Sequence, residues 1–173
     1  KTLKKIAAEV TLPTIGIWKQ KHSGSEVYIT PTLEAAEAVL AAGADIIAID
    51  ATPRIRPAES LAEIVQALKG RVCLMADIST AEEAFAAVDL GFDCVGTTLS
   101  GYTPYSRLQA GPDFDLLEKL TQSMAVPVIM EGRIWTPDEA AHALKLGAHA
   151  VVVGSAITRP QVIARRYLAA MKA

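Results

Sequence analysis

The chain has 173 residues, 51% hydrophobic and 21% charged, with a formal net charge of -2. That length suits one domain with a buried core, and so weak a charge excludes a broad electrostatic grip on nucleic acid or an anionic membrane. No uncharged apolar run approaches the ~20 residues that span a bilayer, so any grip on an anion must be local.

In chain order, the basic opening KTLKKIAAEV reads as a helix over about 1–9 rather than a signal peptide, because Glu9 interrupts its short apolar stretch. Apolar runs then predict strands at about 13–18, 46–50, 72–77, 94–98, 127–131 and 150–154. Helices are predicted at about 32–42, 58–69, 80–90, 113–123, 137–146 and 160–171. The interval 99–112, SGYTPYSRLQAGPD, is a long Gly/Pro-bearing loop, of the length that in compact domains serves function or merely covers surface.

An internal repeat sets this order. TLEAAEAVLAAG, TAEEAFAAVDLG and TPDEAAHALKLG each place a Thr eleven residues before a Gly, and an apolar run follows each. The Thr region starts a helix and the Gly suits its left-handed end. Capping boxes are expected from Ser79 with Glu82 and Thr136 with Glu139, and Pro31, Pro57 and Pro137 suit first helical turns.

Short, nearly all apolar strands separated by helices are the mark of parallel strands buried on both faces. Polar residues recur where the strands end: Lys19, Asp50, Asp77, Thr97, Glu131 and Gly154. An open doubly wound sheet gathers its ligand at one switch point, whereas a barrel brings all strand ends to one mouth. The pattern therefore predicts a TIM (β/α)₈ barrel, as one domain over 1–173. The first element is a helix with no strand before it, so the barrel is expected to lack its first two strands at the N-terminus.

The last two strand ends carry glycines, in Glu131-Gly132-Arg133 and Gly154-Ser155-Ala156-Ile157-Thr158-Arg159. Backbone N–H groups approach an anion freely at Gly, and a helix N-terminus adds donors. Gly132, Gly154, Ser155 and Arg159 are thus phosphate candidates; the bland alternative is a pair of tight turns. Lys19 is either a solvated strand end or an ammonium poised at the mouth. With Glu131 and Asp77 it forms a base, acid and charge-partner set suited to proton transfer at carbon. Cys73 and Cys94 read as small buried hydrophobes. His22 reads as a solvated loop residue, His142 as lying outside the barrel, and His149 as facing away from the mouth. No His–carboxylate spacing suggests a metal, and no dinucleotide fingerprint follows the first strand, so neither metal nor cofactor is expected.

In order, the segments GIWK, IDATPRIRP, MADIST, VGTTLSGYT, EGRIWTP and VVGSAITRP resemble the N-acetylmannosamine-6-phosphate 2-epimerase family over essentially the whole chain. The resemblance implies a phosphate-binding barrel in the cytoplasm. It also implies interconversion of N-acetylmannosamine 6-phosphate and N-acetylglucosamine 6-phosphate in sialic acid and amino-sugar catabolism, without cofactor and as a homodimer. It makes Lys19 and Glu131 the proton-transfer residues, with Asp77 positioning the substrate or tuning Lys19. Arg133 becomes a phosphate or entrance candidate and Tyr102 a mouth residue. The family also uses a Gln and an Arg on its first two strands, which this chain does not contain. Two other readings stay open: a catalytically inactive phosphate-sugar binding barrel, and a Schiff-base lysine at Lys19.

Overall fold

A computed structural model describes residues 2–172. Lys1 of the expected first helix, and Ala173 at the far end of the expected single domain, lie outside the described residues. The elements run α1 (Thr2–Glu9), β1 (Ile15–Gly16), α2 (Leu33–Ala41), β2 (Ile46–Asp50), α3 (Leu61–Leu68), β3 (Cys73–Asp77), α4 (Ala81–Leu90) and β4 (Cys94–Gly96). They continue as α5 (Phe114–Ser123), β5 (Val128–Glu131), α6 (Pro137–Lys145), β6 (Ala150–Val152), α7 (Ser155–Thr158) and α8 (Pro160–Ala170). All six strands pair in parallel in the order β1-β2-β3-β4-β5-β6. The order never reverses, so the sheet has no switch point and follows the path of a barrel wall.

Side chains alternate across this wall with a period of two. Ile47, Ile49, Leu74, Ala76, Val95, Val128 and Met130 face the helices and form the main core with Ala36, Val39, Ile64, Leu68, Ala84, Leu117 and Leu120. The other parity, Ala48, Met75, Cys94 and Ile129, forms a second apolar cluster on the concave face. Burying one such Ile or Leu contributes about 1.5–3 kcal/mol. Asp50, Asp77 and Glu131 continue the concave parity to the strand ends. The alternation therefore decides which polar residues reach the mouth.

The Thr–Gly repeat is realised in all three copies. Thr32, Thr80 and Thr136 are N-caps whose side chains accept from the backbone three residues on. Gly43, Gly91 and Gly147 take positive φ angles of 87°, 115° and 96° where the helices end. The box expected from Ser79 and Glu82 lies one residue later, at Thr80 and Glu83; Ser79 also donates to Glu83 through N–H and hydroxyl. A third box, at Ser60 and Glu63, starts α3 later than expected. Pro137 occupies the first turn of α6. Pro31 precedes the Thr32 cap and Pro57 precedes the Ser60 cap, so both rigidify helix entries instead.

The first strand is shorter than its apolar run suggests. Past Gly16 the chain leaves the ladder for an excursion closed by an antiparallel bridge between Lys19 and Ile29. The four-residue α7 was not legible, being too short for a helical period. Cys94 is buried, Cys73 is partly buried, and neither is in a disulfide. Among the described residues, no helix is long and apolar enough to cross a membrane.

Gly16 lets α1, α2 and the turn after α2 pack closely on the first strand. A Cβ there would lie 2.6 Å from Val39 Cγ1, 2.7 Å from Ala44 Cβ and 2.9 Å from Leu3 Cδ2. Gly16→Ala is expected to destabilise the fold by about 1–3 kcal/mol through overpacking, read as a lower urea midpoint with an unchanged slope.

Candidate active site

Lys19 reaches the mouth through the excursion that follows β1. Gln20 N–H donates to Tyr28 O at 2.9 Å and Thr30 N–H to Trp18 O at 2.9 Å. Residues 20–28 therefore double back and set Tyr28 and Ile29 beside Lys19, whose Nζ lies 5.9 Å from the Tyr28 ring centre. Fully buried Thr30 locks the return by donating its hydroxyl to Ala48 O of β2 at 2.7 Å. It does so at φ 44°, a left-handed conformation costly for a β-branched residue.

Two joined cavities open on the concave face. The outer one, about 350 Å³, is lined by Lys19, Tyr28, Thr98, Tyr102, Glu131, Gly132, Arg133, Trp135, Gly154, Ser155 and Arg159, among others. Beneath it, a cavity of about 180 Å³ is bounded by Lys19, Asp77, Thr98 and Glu131 over the apolar floor of Ile15, Ala48 and Met75. The structure thus gathers Lys19, Asp77 and Glu131 around one space, with the glycine-bearing loops at its rim.

The two carboxylates share one hydroxyl. Thr98 Oγ1 lies 2.7 Å from Asp77 Oδ1 and 3.3 Å from Glu131 Oε2. Gly96 keeps this corner open: a Cβ there would stand 3.1 Å from Thr98 Oγ1 and 3.4 Å from Asp77 Oδ1. Burial pushes the Asp77 carboxyl well above the usual carboxylate range; the Thr98 hydrogen bond opposes the rise, the charges of Glu131 and Asp50 add to it, and Lys19 opposes it. Burial likewise raises Glu131, against the Thr98 hydrogen bond and the Lys19 charge. Both groups therefore favour the protonated form more than free carboxyls do.

The remaining polar strand ends have other duties. Thr97 faces away from the mouth and ties β4 to β5, donating to Glu131 O at 2.8 Å and accepting from Glu131 N–H at 3.0 Å. Fully buried Asp50 is engaged by Arg54 at 2.5 Å and by the Thr52 hydroxyl at 2.6 Å. Removing either charge alone would strand the other, at about 3–5 kcal/mol.

At the rim, a Cβ on Gly154 would meet nothing within 4 Å among the described residues, and α7 starts at the next residue with its first N–H groups lacking helical acceptors. Arg159 sits exposed where α7 passes into α8. Arg133 is more committed than expected for an entrance cation. At φ 57° it turns back to donate Nε–H to Gly111 O at 2.7 Å and Nη1–H to Ser100 O at 2.6 Å. Its guanidinium also packs 5.1 Å from the centre of the Tyr102 ring, which is 59% exposed at the mouth. Arg133 thereby clamps both ends of the 99–112 loop.

Among the described residues, no group of three or more His, Cys, Asp and Glu side chains is placed to hold a metal ion. His142 packs edge-on against Phe114, with ring centres 4.7 Å apart. His22 is not the solvated residue expected: it is partly buried, and its Nε2 is enclosed with no hydrogen-bond partner among the described residues.

A family model described as "Putative N-acetylmannosamine-6-phosphate epimerase" matches residues 1–173. The chain belongs to this family. Its relatives include proteins named "Putative N-acetylmannosamine-6-phosphate 2-epimerase" from Caldanaerobacter subterraneus subsp. tengcongensis and Clostridium perfringens strain SM101. The first is 50% identical over 171 residues, covering 96% of this chain and 72% of the relative. The second is 53% identical over 168 residues, covering 95% and 76%. A solved structure of the N-acetylmannosamine-6-phosphate 2-epimerase from C. perfringens superposes with a TM-score of 0.93 at 48% identity, covering 97% of this chain and 74% of that one. Thiamine phosphate pyrophosphorylase from Pyrococcus furiosus matches at TM-score 0.56 and 24% identity, covering 78% of this chain and 60% of that one, a likeness of fold alone.

Sequence reasoning missed Thr98, Tyr28 and Trp135. Thr98 carried a usable signal, since it keeps the parity of Cys94 and Gly96. Tyr28 carried none, because it reaches the mouth only through the excursion after β1.

The raised carboxyls yield a stability test. A carboxyl whose folded-state pKa is raised contributes stability that is complete below its unfolded value and is lost as pH rises through its folded value. Asp77→Asn keeps the acceptor for Thr98 and removes the buried charge. Its thermal midpoint is therefore expected to exceed that of the unaltered protein near neutral pH, the gap closing toward about pH 4. A gap independent of pH would show that ionisation of Asp77 is not its cause.

Proposed function

We propose that this protein interconverts N-acetylmannosamine 6-phosphate and N-acetylglucosamine 6-phosphate by moving a proton at carbon 2. The observation that carries this reading is one cavity bounded by Lys19 and Glu131, with Asp77 beneath, in a member of the epimerase family. The hydrogen at carbon 2 becomes acidic only beside a carbonyl, so the sugar reacts as its open aldehyde. One face must lose a proton and the other regain one. Lys19 and Glu131 are the two proton-handling groups. The Lys19 ammonium also stands where an enolate oxygen needs positive charge. Asp77, buried against Thr98, sets the charge balance below them.

The phosphate docks at the rim. Gly132 and Gly154 leave room for close backbone approach, the N–H groups opening α7 at Ser155 point at the anion, and Arg159 supplies a cation. Anchoring the phosphate orients the reacting carbon over the carboxylates. Tyr102 and the Arg133-clamped loop wall the entrance. The chemistry needs neither metal nor redox cofactor.

The ligand is thus a small amino-sugar phosphate rather than nucleic acid, and the activity suits amino-sugar and sialic acid breakdown in the cytoplasm. A homodimer fits the exposed apolar side chains Tyr167, Leu168 and Met171 at the C-terminal end.

In deuterated water, carbon 2 of N-acetylmannosamine 6-phosphate is expected to acquire deuterium, followed by proton NMR. Glu131→Gln and Lys19→Ala should each slow turnover by roughly 10²–10⁴-fold. Ligand-induced thermal stabilisation without any exchange would instead mark an inactive sugar-phosphate binder. Arg159→Met is expected to raise KM more than it lowers kcat, by about tenfold or more for a lost charge-assisted contact; an unchanged KM would remove Arg159 from the phosphate site.

A further inference from the structure

The Thr98 hydroxyl is the feature of this cavity that the proton-transfer scheme leaves unused. It touches Asp77 Oδ1 at 2.7 Å and Glu131 Oε2 at 3.3 Å and borders both cavities. A hydroxyl owns one proton and two lone pairs. It can donate to only one of the two carboxylates at a time, and it can accept from the other only when that one is protonated. We infer that Thr98 is a positioning residue that joins Asp77 and Glu131 into a carboxyl–hydroxyl–carboxyl relay carrying a shared proton. The inference rests on the epimerase reading for its purpose, though not for its geometry.

That purpose follows from proton bookkeeping. When two groups act on opposite faces of carbon 2, one ends the turnover with an extra proton and the other short of one. Both must be reset before the next substrate. If Glu131 has given its proton away, the Thr98 Oγ–H bond breaks toward Glu131 Oε2 while the Asp77 O–H bond breaks toward Thr98 Oγ. The hydroxyl is re-formed, Asp77 is left as the carboxylate, and solvent in the cavity returns one proton to it while taking the extra one from Lys19. If Glu131 has gained a proton, the same steps run in reverse. The proton count is conserved and nothing is oxidised or reduced.

The surroundings suit such a store. Lys19 from the bridge that closes the excursion after β1, Tyr28 from that excursion, Glu131 from β5 and the Arg54-paired Asp50 from β2 are the charged or titratable groups facing Asp77. Burial raises both carboxyls above their ordinary values, which favours keeping a proton between them more than two exposed carboxyls would.

Two readouts test this. Thr98→Val keeps the shape and removes the hydroxyl, whereas Thr98→Ser keeps the hydroxyl. The Val variant is expected to lose roughly tenfold or more in kcat, at the low end of proton-transfer effects, with KM nearly unchanged; the Ser variant should recover most of it. Independently of turnover, carboxyl-13C NMR titration should show both Asp77 and Glu131 moving to higher pH in the Val variant and returning in the Ser variant. Val-variant kcat and titrations matching the unaltered protein would overturn the relay. So would a Ser variant as slow as Val with unaltered titrations. Absence of carbon-2 exchange in the unaltered protein would instead sink the epimerase reading and leave the titration as the test of the coupling.

Discussion

A buried carboxyl and a half-buried one that share a single hydroxyl set the terms for the rest of the molecule. Asp77 and Glu131 end inward-facing rows of the sheet, and Thr98 spans the gap between them. Holding acid groups in so dry a corner opposes their ionisation, and the fold must offset that cost elsewhere. It does so through the helix-facing parity, where Ile47, Ile49, Leu74 and Met130 are closed from solvent. One face of each strand stabilises the protein while the other carries groups that strain against it.

This division also sorts the polar strand ends. Lys19, Asp77 and Glu131 share the concave side, and each touches the same space. Thr97, one residue out of step, is spent on backbone ties between β4 and β5. Asp50 has the right parity but is paired with Arg54 and bound by Thr52. It bears on the site only as a fixed negative charge behind Asp77.

Much of the framework was readable in the sequence because it rests on local rules. Thr32, Thr80 and Thr136 announce helices through their caps, and the glycines eleven residues on mark the ends. Parallel strands show as apolar runs, and the order of the units gives the barrel path. What escaped depends on the chain leaving those rules. The apolar run 13–18 predicts a long first strand, yet the Lys19–Ile29 bridge and the Thr30 lock pull most of it out of the ladder. The Tyr28 position follows from that departure and from no pattern of its own. Arg133 reads from the sequence as a phosphate or entrance candidate because nothing there shows that its backbone enters the left-handed region and carries the guanidinium back to two carbonyls.

That clamp has a consequence for how the loop over the mouth can vary. Arg133 stands two residues beyond Glu131 and grips the carbonyls of Ser100 and Gly111. The termini of the loop are thereby fastened to the end of the strand that carries Glu131, whereas Tyr105, Arg107 and Leu108 between them project into solvent. Added residues near that exposed tip leave both anchors in place, and lengthening the chain beside Ser100 or Gly111 drags on β5 itself. The crest of the loop is free to diversify toward new neighbours while its feet answer to the chemistry below.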